Sequence, residues 1–145
     1  MLENFPFSQV DDRLKRAFEF LEEKVSEGVI KNYGISSWSG FRVPSTNNYW
    51  MSLEKLAEIA EAVGGKENNF NYISLPINLA MPEAFIEEYQ FIGTESTNTL
   101  TAAERLRLNV MVGSPLMGGL MSQTPLPTTQ LLSKNLVGKH LNLMR

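Results

Sequence analysis

Val29-Ile30-Lys31-Asn32-Tyr33-Gly34-Ile35, running into Ser36-Ser37, is the stretch on which the fold turns. It is short, apolar and β-favouring, and it stops at two small polar residues, so it reads as a strand. On its amino side Leu14, Ala17, Phe18, Leu21 and Val25 recur at helical spacing among charged residues. Gly28 then stands where a helix closes in the left-handed conformation. On its carboxyl side a loop rich in Ser, Asn and Pro leads to Ser52, a good N-cap. Leu53, Leu56, Ala57, Ala60 and Val63 follow as a second helix that ends at Gly64-Gly65.

The alternation continues along the chain. Phe70 to Leu75 has strand composition and meets Pro76, which cannot donate to a ladder and marks the strand's end. Asn78 to Asn98 reads as a long loop, with one or two helical turns begun at Pro82. Thr101 with Glu104 makes a capping-box pattern, and Ala102, Ala103 and Leu106 continue a short helix that begins a few residues earlier. Leu108-Asn109-Val110-Met111-Val112 is a third strand, ending in Gly113-Ser114-Pro115. Strands starting near 29, 70 and 108, with a helix in each interval, have the rhythm of β-α-β crossovers. The expectation is an α/β fold with a parallel sheet. Ligands in such folds sit at the carboxyl ends of the strands. Ser36-Ser37, Pro76 with Asn78, and Ser114-Pro115 before Gly118-Gly119 are therefore expected to share one face.

Composition narrows the function. The 145 residues, 43% hydrophobic, suit one core, and the formal charge of -3 repels polyanions, so no nucleic-acid partner is expected. Without cysteine there is no disulfide, thiolate zinc site, iron-sulfur ligation or thiol nucleophile. The first residues lack a signal peptide's basic end and apolar run, and no stretch nears the ~18 apolar residues of a membrane span. A cytoplasmic chain with no membrane partner is expected.

Few side chains offer chemistry. The lone His140 sits in a polar tail without an acidic neighbour and reads as solvated rather than as a general base. Glu22-Glu23 and Glu87-Glu88 are helix neighbours that do not face each other and read as solvated faces. Met111, Met117 and Met121 read as core filling or barrel lining. Tyr33, Tyr49, Tyr72 and Tyr89 lack an adjacent Lys or Asp arrangement suited to proton donation. With one histidine and no G-x-S-x-G elbow, Ser-His-Asp hydrolysis is not indicated. No catalytic residue and no metal-ligand set is assigned.

Three stretches together resemble the aldo-keto reductase family. Residues 27–38 (EGVIKNYGISSW) are similar to the family's EGKIRYIGVSNF pattern, residues 73–79 (ISLPINL) to QVPYNLL, and residues 108–116 (LNVMVGSPL) to VIAYSPLGRGLL. These look like the fifth, sixth and seventh strands, in order, over about residues 12 to 121. The resemblance implies an eight-stranded (β/α)8 TIM barrel of about 250 residues, of which this chain supplies about three β-α units. Residues 1–121 would form that partial NADP-dependent oxidoreductase domain and 122–145 a polar, amphipathic tail. It further implies carbonyl reduction by hydride transfer from NADP(H). The residues matching the family's cofactor contacts are Ser36 and Ser37 at its Ser-Asn pair, Ser74 at its glutamine and Gly113 at its stacking tyrosine. Asn78 follows the second strand, and Ser114, Pro115 and Leu116 match the turn beside the pyrophosphate.

The resemblance also implies what is lacking. The family's Asp, Tyr, Lys and His that protonate the carbonyl oxygen lie on earlier strands, and its phosphate-holding Lys and Arg on a later one. Replacing the Asn, Gln and Tyr contacts by Ser, Ser and Gly forfeits an aromatic stack of about 1 kcal/mol, besides polar contacts. The expectation is weak or absent cofactor binding and no catalysis by the chain alone. Its partners would be the missing barrel strands or a self-associating copy. The alternative is a non-catalytic interaction or regulatory module on the same scaffold. The tail's Leu131, Leu132, Leu136 and Val137, with Lys134, Lys139 and Arg145, form an apolar stripe edged by cations.

Overall fold

The computed structural model describes residues 7–122. They form α1 (Phe7–Ser26), β1 (Tyr33–Ser36), α2 (Leu53–Gly64), β2 (Phe70–Pro76), α3 (Glu83–Ile86), β3 (Gln90–Ile92), β4 (Glu95–Thr97), α4 (Thr99–Arg105) and β5 (Asn109–Gly113), closed by a 3-10 turn at Met117–Gly119. The chain is α/β. Strands β1, β2 and β5 lie side by side in sequence order, all parallel, as the forty-residue rhythm requires. Helix α1 packs on α2 and α2 on α4, so the helices form one layer over one face of the sheet. The core between the layers includes Phe18, Leu56, Ile59 and Ala60 from the helices and Tyr33, Phe70, Ile73 and Leu75 from the strands.

The first helix runs longer than its apolar spacing predicts and ends in the glycine-dependent motif anticipated at Gly28. Gly28 has φ +75°, its N–H reaches the Val25 carbonyl at 2.9 Å, and the Val29 N–H reaches Lys24 at 3.0 Å. Val29 is thereby spent on closing the helix, and β1 begins at Tyr33, four residues later than its composition indicates. The second helix follows the expected signals: the Ser52 hydroxyl accepts from the Lys55 N–H at 3.1 Å, and Gly65 closes it at φ +73°.

Strand β2 contains an irregularity that its sequence hides. Tyr33 pairs with Phe70, but Gly34 pairs with Tyr72, so Asn71 is an inserted residue. The extra residue changes which face each side chain meets. Phe70 can therefore face the helices, with its ring 5.0 Å from Phe18, while Ile73 and Leu75 face them too. Tyr72 and Ser74 point the other way. The bulge brings the Tyr72 carbonyl against Gly34, where any Cβ would collide with it.

Glu22 corrects the reading of Glu22-Glu23 as a solvated pair. Its carboxylate joins α1 to β1 and to the residue just before β2, accepting from the Tyr33 hydroxyl at 2.9 Å, the Asn69 N–H at 2.7 Å and the Asn69 amide at 2.8 Å. Burial alone would raise this carboxyl, but the Asn69 and Tyr33 donors outweigh it and hold it below its ordinary 4.5. Burial and the same carboxylate push the Tyr33 phenol well above its usual range. A carboxyl lowered in the folded state stabilises above its unfolded value and loses that contribution as pH falls through the folded one. Glu22→Gln is thus expected to cost about 1–2 kcal/mol at pH 7. Urea melts should show this gap shrinking as the pH is taken from 5 down to 3.

The segment from Asn78 to Asn98 is not a plain loop. After the single turn of α3 it folds into the antiparallel hairpin β3-β4, pairing Gln90 with Thr97 and Ile92 with Glu95 around Gly93 (φ +60°). The third helix starts at Thr99, and its N-cap is Asn98, whose side chain accepts from the Thr101 N–H at 2.9 Å. Thr101 and Glu104 therefore lie inside the helix and do not form its capping box. His140 and the stripe from Leu131 to Val137 lie outside the described residues, as does all of the proposed tail except Ser122.

Candidate functional site

The carboxyl ends of the three strands converge as expected, and backbone hydrogen bonds join their loops. The Ser37 N–H donates to the Ser74 carbonyl at 2.9 Å, and the Ile77 N–H to the Gly113 carbonyl at 3.2 Å. Asn78, only 8% exposed, donates its side-chain amide to the Ser114 carbonyl at 3.1 Å and accepts from the Ala80 N–H at 2.9 Å. That amide clamps the turn after β5 to the turn after β2. The clamped turn is strained: Ser114 (φ +49°) and Met117 (φ +51°) both occupy the left-handed region without being glycine. Strain held by neighbouring structure is a feature of ligand sites as well as of tight turns.

Register places Ser36 beside Ser74, and Ser74 beside Met111. All three face away from the helices, and Gly113 follows two residues above Met111 on the same side. The Ser36 and Ser74 hydroxyls have no partner among the described residues. Ser37 is differently engaged, its hydroxyl accepting from the Gly40 N–H at 2.9 Å to shape its own turn. Pro115 and Leu116 are exposed at the lip. Of the eight candidate positions, Ser36, Ser74 and Gly113 thus present an open row, while Ser37 and Asn78 spend their side chains on holding loops.

The rim is braced from outside by contacts that no local pattern announces. Arg42 on the β1 loop donates to the Glu83 carboxylate of α3 through Nε and a terminal nitrogen, at 3.2 and 3.1 Å, and to the Trp38 carbonyl at 2.8 Å. Thr99 donates to the Phe41 carbonyl, and the Trp50 indole donates to the Tyr89 carbonyl at 2.7 Å. Gln90 bonds both Met51 and Leu53. The signal that could have located these is the set of buried polar residues in a segment read as loop.

The face behind the rim is open. Tyr72 is 37% exposed and Met111 57%, so Met111 does not fill the core between the layers; Met117 and Met121 are half-buried near the turn. Glu87 and Glu88 are not helix neighbours: α3 ends at Ile86, Glu87 is its half-buried, extended C-cap, and the exposed Glu88 accepts from Ser96 at 3.0 Å. Burial, and then the Glu87 carboxylate, raise the Tyr89 phenol, which makes it a poorer acid. A groove of 310 Å³ lined by Ala57, Glu61, Lys66, Asn68, Phe70, Leu106 and Leu108 lies at the opposite, amino end of the strands. That end serves stability in parallel α/β folds. Among the described residues no cluster of three or more His, Asp or Glu is placed to hold a metal, and no helix is long and apolar enough to cross a membrane.

No family model matches the chain, and no curated protein or solved structure is significantly similar to it.

Proposed function

We propose that this chain is a portion of an aldo-keto-reductase-like barrel, contributing the nicotinamide-facing part of an NADP(H) rim. The observation that carries this reading is the register row: Ser74 lies beside Ser36 and Gly113 stands above on the same open face, with Ser37 adjoining. These are the positions at which the resemblance locates the cofactor contacts. The order of the parallel strands and the one-sided helix layer suit a barrel wall. The free Ser36 and Ser74 hydroxyls fit a carboxamide, which both donates and accepts. Gly113 supplies no stacking ring, and Arg42 is already paired with Glu83. Bound NADPH would supply the hydride; Ser36 and Ser74 would orient its amide, and Asn78 would keep the Ser114 turn in place. Among the described residues no acid stands at this row, and protonation of a carbonyl oxygen would fall to strands outside them.

Restoring the family contacts tests the reading. A Cβ on Gly113 meets its nearest atom, the Leu75 carbonyl oxygen, at 3.6 Å, an ordinary contact, and Gly113 is not among the positive-φ glycines. The Ser37→Asn, Ser74→Gln, Gly113→Tyr variant is therefore expected to fold. One stack and one added hydrogen bond, about 1 kcal/mol each, should tighten NADPH binding at least about tenfold over the parent chain. NADPH fluorescence titration reads this; a folded variant with no gain removes the reductase reading.

The exposed Tyr72 and Met111 favour a second reading, an interaction module whose function is contact through this face. Unchanged NADPH affinity in the triple variant would leave that reading standing.

A further inference from the structure

The two ends of the three-stranded sheet are finished in opposite ways. The loops entering the strands carry exposed charges: Glu27 and Lys31 before β1, Lys66 and Glu67 before β2, and Arg107 before β5, alongside the exposed Val29. At the other end, the strands and the first residues of the loops leaving them carry none: residues 32–41, 68–82 and 108–122 contain no Asp, Glu, Lys, Arg or His. Each of those three loops instead exposes a bulky apolar side chain, Trp38 (59% exposed), Leu79 (56%) and Leu116 (55%). They stand just past the points where the loops are joined. Trp38 follows Ser37, whose N–H donates to the Ser74 carbonyl, and Leu79 follows Asn78, whose amide donates to the carbonyl of Ser114, two residues before Leu116. Isolated exposed apolar residues are ordinary on any surface, but three on adjoining loops at one uncharged end mark a binding surface.

That surface is also held still, and its chemistry limits what it takes. The nearest charges beyond the uncharged stretches, Arg42 and Glu83, neutralise each other at 3.1 Å, and Arg42 further donates to the Trp38 carbonyl at 2.8 Å. A phosphate, carboxylate or ammonium arriving here would lose hydration with no free counter-charge in these loops to replace it. A flat, uncharged molecule would lose only apolar hydration, and the exposed indole offers it an aromatic face. The Ser36 and Ser74 hydroxyls adjoin, giving the mostly apolar lining with a few polar groups that small-molecule sites have.

We propose that Trp38, Leu79 and Leu116 form a binding surface for an uncharged aromatic small molecule at the carboxyl rim. This goes beyond the reductase reading and needs no bound NADPH. Only one consequence rests on that reading: the carbonyl compound reduced at this rim would be uncharged and aromatic rather than phosphorylated or carboxylated.

Titration of the full chain, without NADPH, with acetylnaphthalene and with its charged analogues naphthoate and naphthylmethylammonium tests the proposal. The readout is the pair of indole N–H signals in NMR. Trp50 donates to the Tyr89 carbonyl inside the structure and serves as the internal control. Acetylnaphthalene is expected to shift the Trp38 signal saturably, with a Kd below about 1 mM, and to leave Trp50 unmoved. Both charged analogues should bind at least about tenfold more weakly. Leu79→Ser, at an exposed position, should weaken acetylnaphthalene about fivefold or more while Trp50 keeps its native signal. No saturable shift of Trp38 overturns the proposal. So does equal binding of either charged analogue, or a folded Leu79→Ser variant that binds like the parent. Because NADPH is absent throughout, failure here leaves the cofactor titration of the triple variant to decide the reductase reading separately.

Discussion

Gly34→Val is expected to cost about 3 kcal/mol or more, enough to abolish cooperative unfolding in a marginally stable chain. The side chain itself would point onto the open face, which is not crowded, so overpacking there is not the cause. The cause is the bulge at Asn71, which carries the Tyr72 carbonyl over the Gly34 Cα. Because the obstructing atom is backbone, relief requires β1 to move away from β2. That movement would break a four-residue strand's pairing and pull Tyr33 from its place between Phe18 and Phe70, 5.2 and 5.9 Å from their ring centres. Gly113→Ala is the control. Its new methyl group meets only ordinary contacts, so its cost should stay within about 0.5 kcal/mol. Urea denaturation of both variants gives the comparison, and equal costs would mean that the bulge relaxes freely.

The same bulge shows where reading the chain residue by residue reaches its limit. Strand composition located β1, β2 and β5 because apolar, β-branched residues bounded by Gly, Pro and Ser carry a local signal. The glycine at position 28 and the serine at 52 announced helix ends by local chemistry. Alternation, by contrast, puts Phe70 and Ile73 on opposite faces, and only an inserted residue lets both reach the helices. Nothing in Phe-Asn-Tyr-Ile-Ser-Leu marks the insertion, since Gly34, the residue that permits it, is thirty-seven positions away. Glu22 hides its role for a related reason. Its neighbours in sequence are solvent and other charges, while its partners, Tyr33 and Asn69, come together only when β1 and β2 pair. The rim's loops were legible as turn clusters of Ser, Pro, Asn and Gly. Which of those polar side chains stay free and which hold loops depends on contacts between strands. Ser74 and Asn78 have similar surroundings in sequence, yet one hydroxyl is free and one amide is a clamp.

Gln90→Leu should produce the second large effect, about 3 kcal/mol, from a position whose local sequence has the composition of a loop. Gln90 is fully buried at the start of β3. Its side-chain oxygen accepts from the Leu53 N–H at 2.9 Å, and its nitrogen donates to the Met51 carbonyl at 3.1 Å. The Leu53 N–H belongs to the first turn of α2, where helix geometry supplies no carbonyl partner. Ser52 meets the same deficit for Lys55, so two side chains, one local and one distant, together finish the helix start. Leucine nearly preserves the volume but strands one buried donor and one partly buried acceptor, costing about 1–3 kcal/mol for the donor and less for the acceptor. The loss should also release the hairpin, because Gln90 is the only residue of β3 that is buried. Amide exchange across residues 90–97 should therefore accelerate more than exchange in β2. Ser96→Ala on the exposed side of the same hairpin, which removes only a bond to Glu88, should stay within about 0.5 kcal/mol. If Gln90→Leu proves as mild as Ser96→Ala, the hairpin does not brace the carboxyl rim. The rim's geometry would then rest on the Asn78 clamp and the Arg42–Glu83 pair.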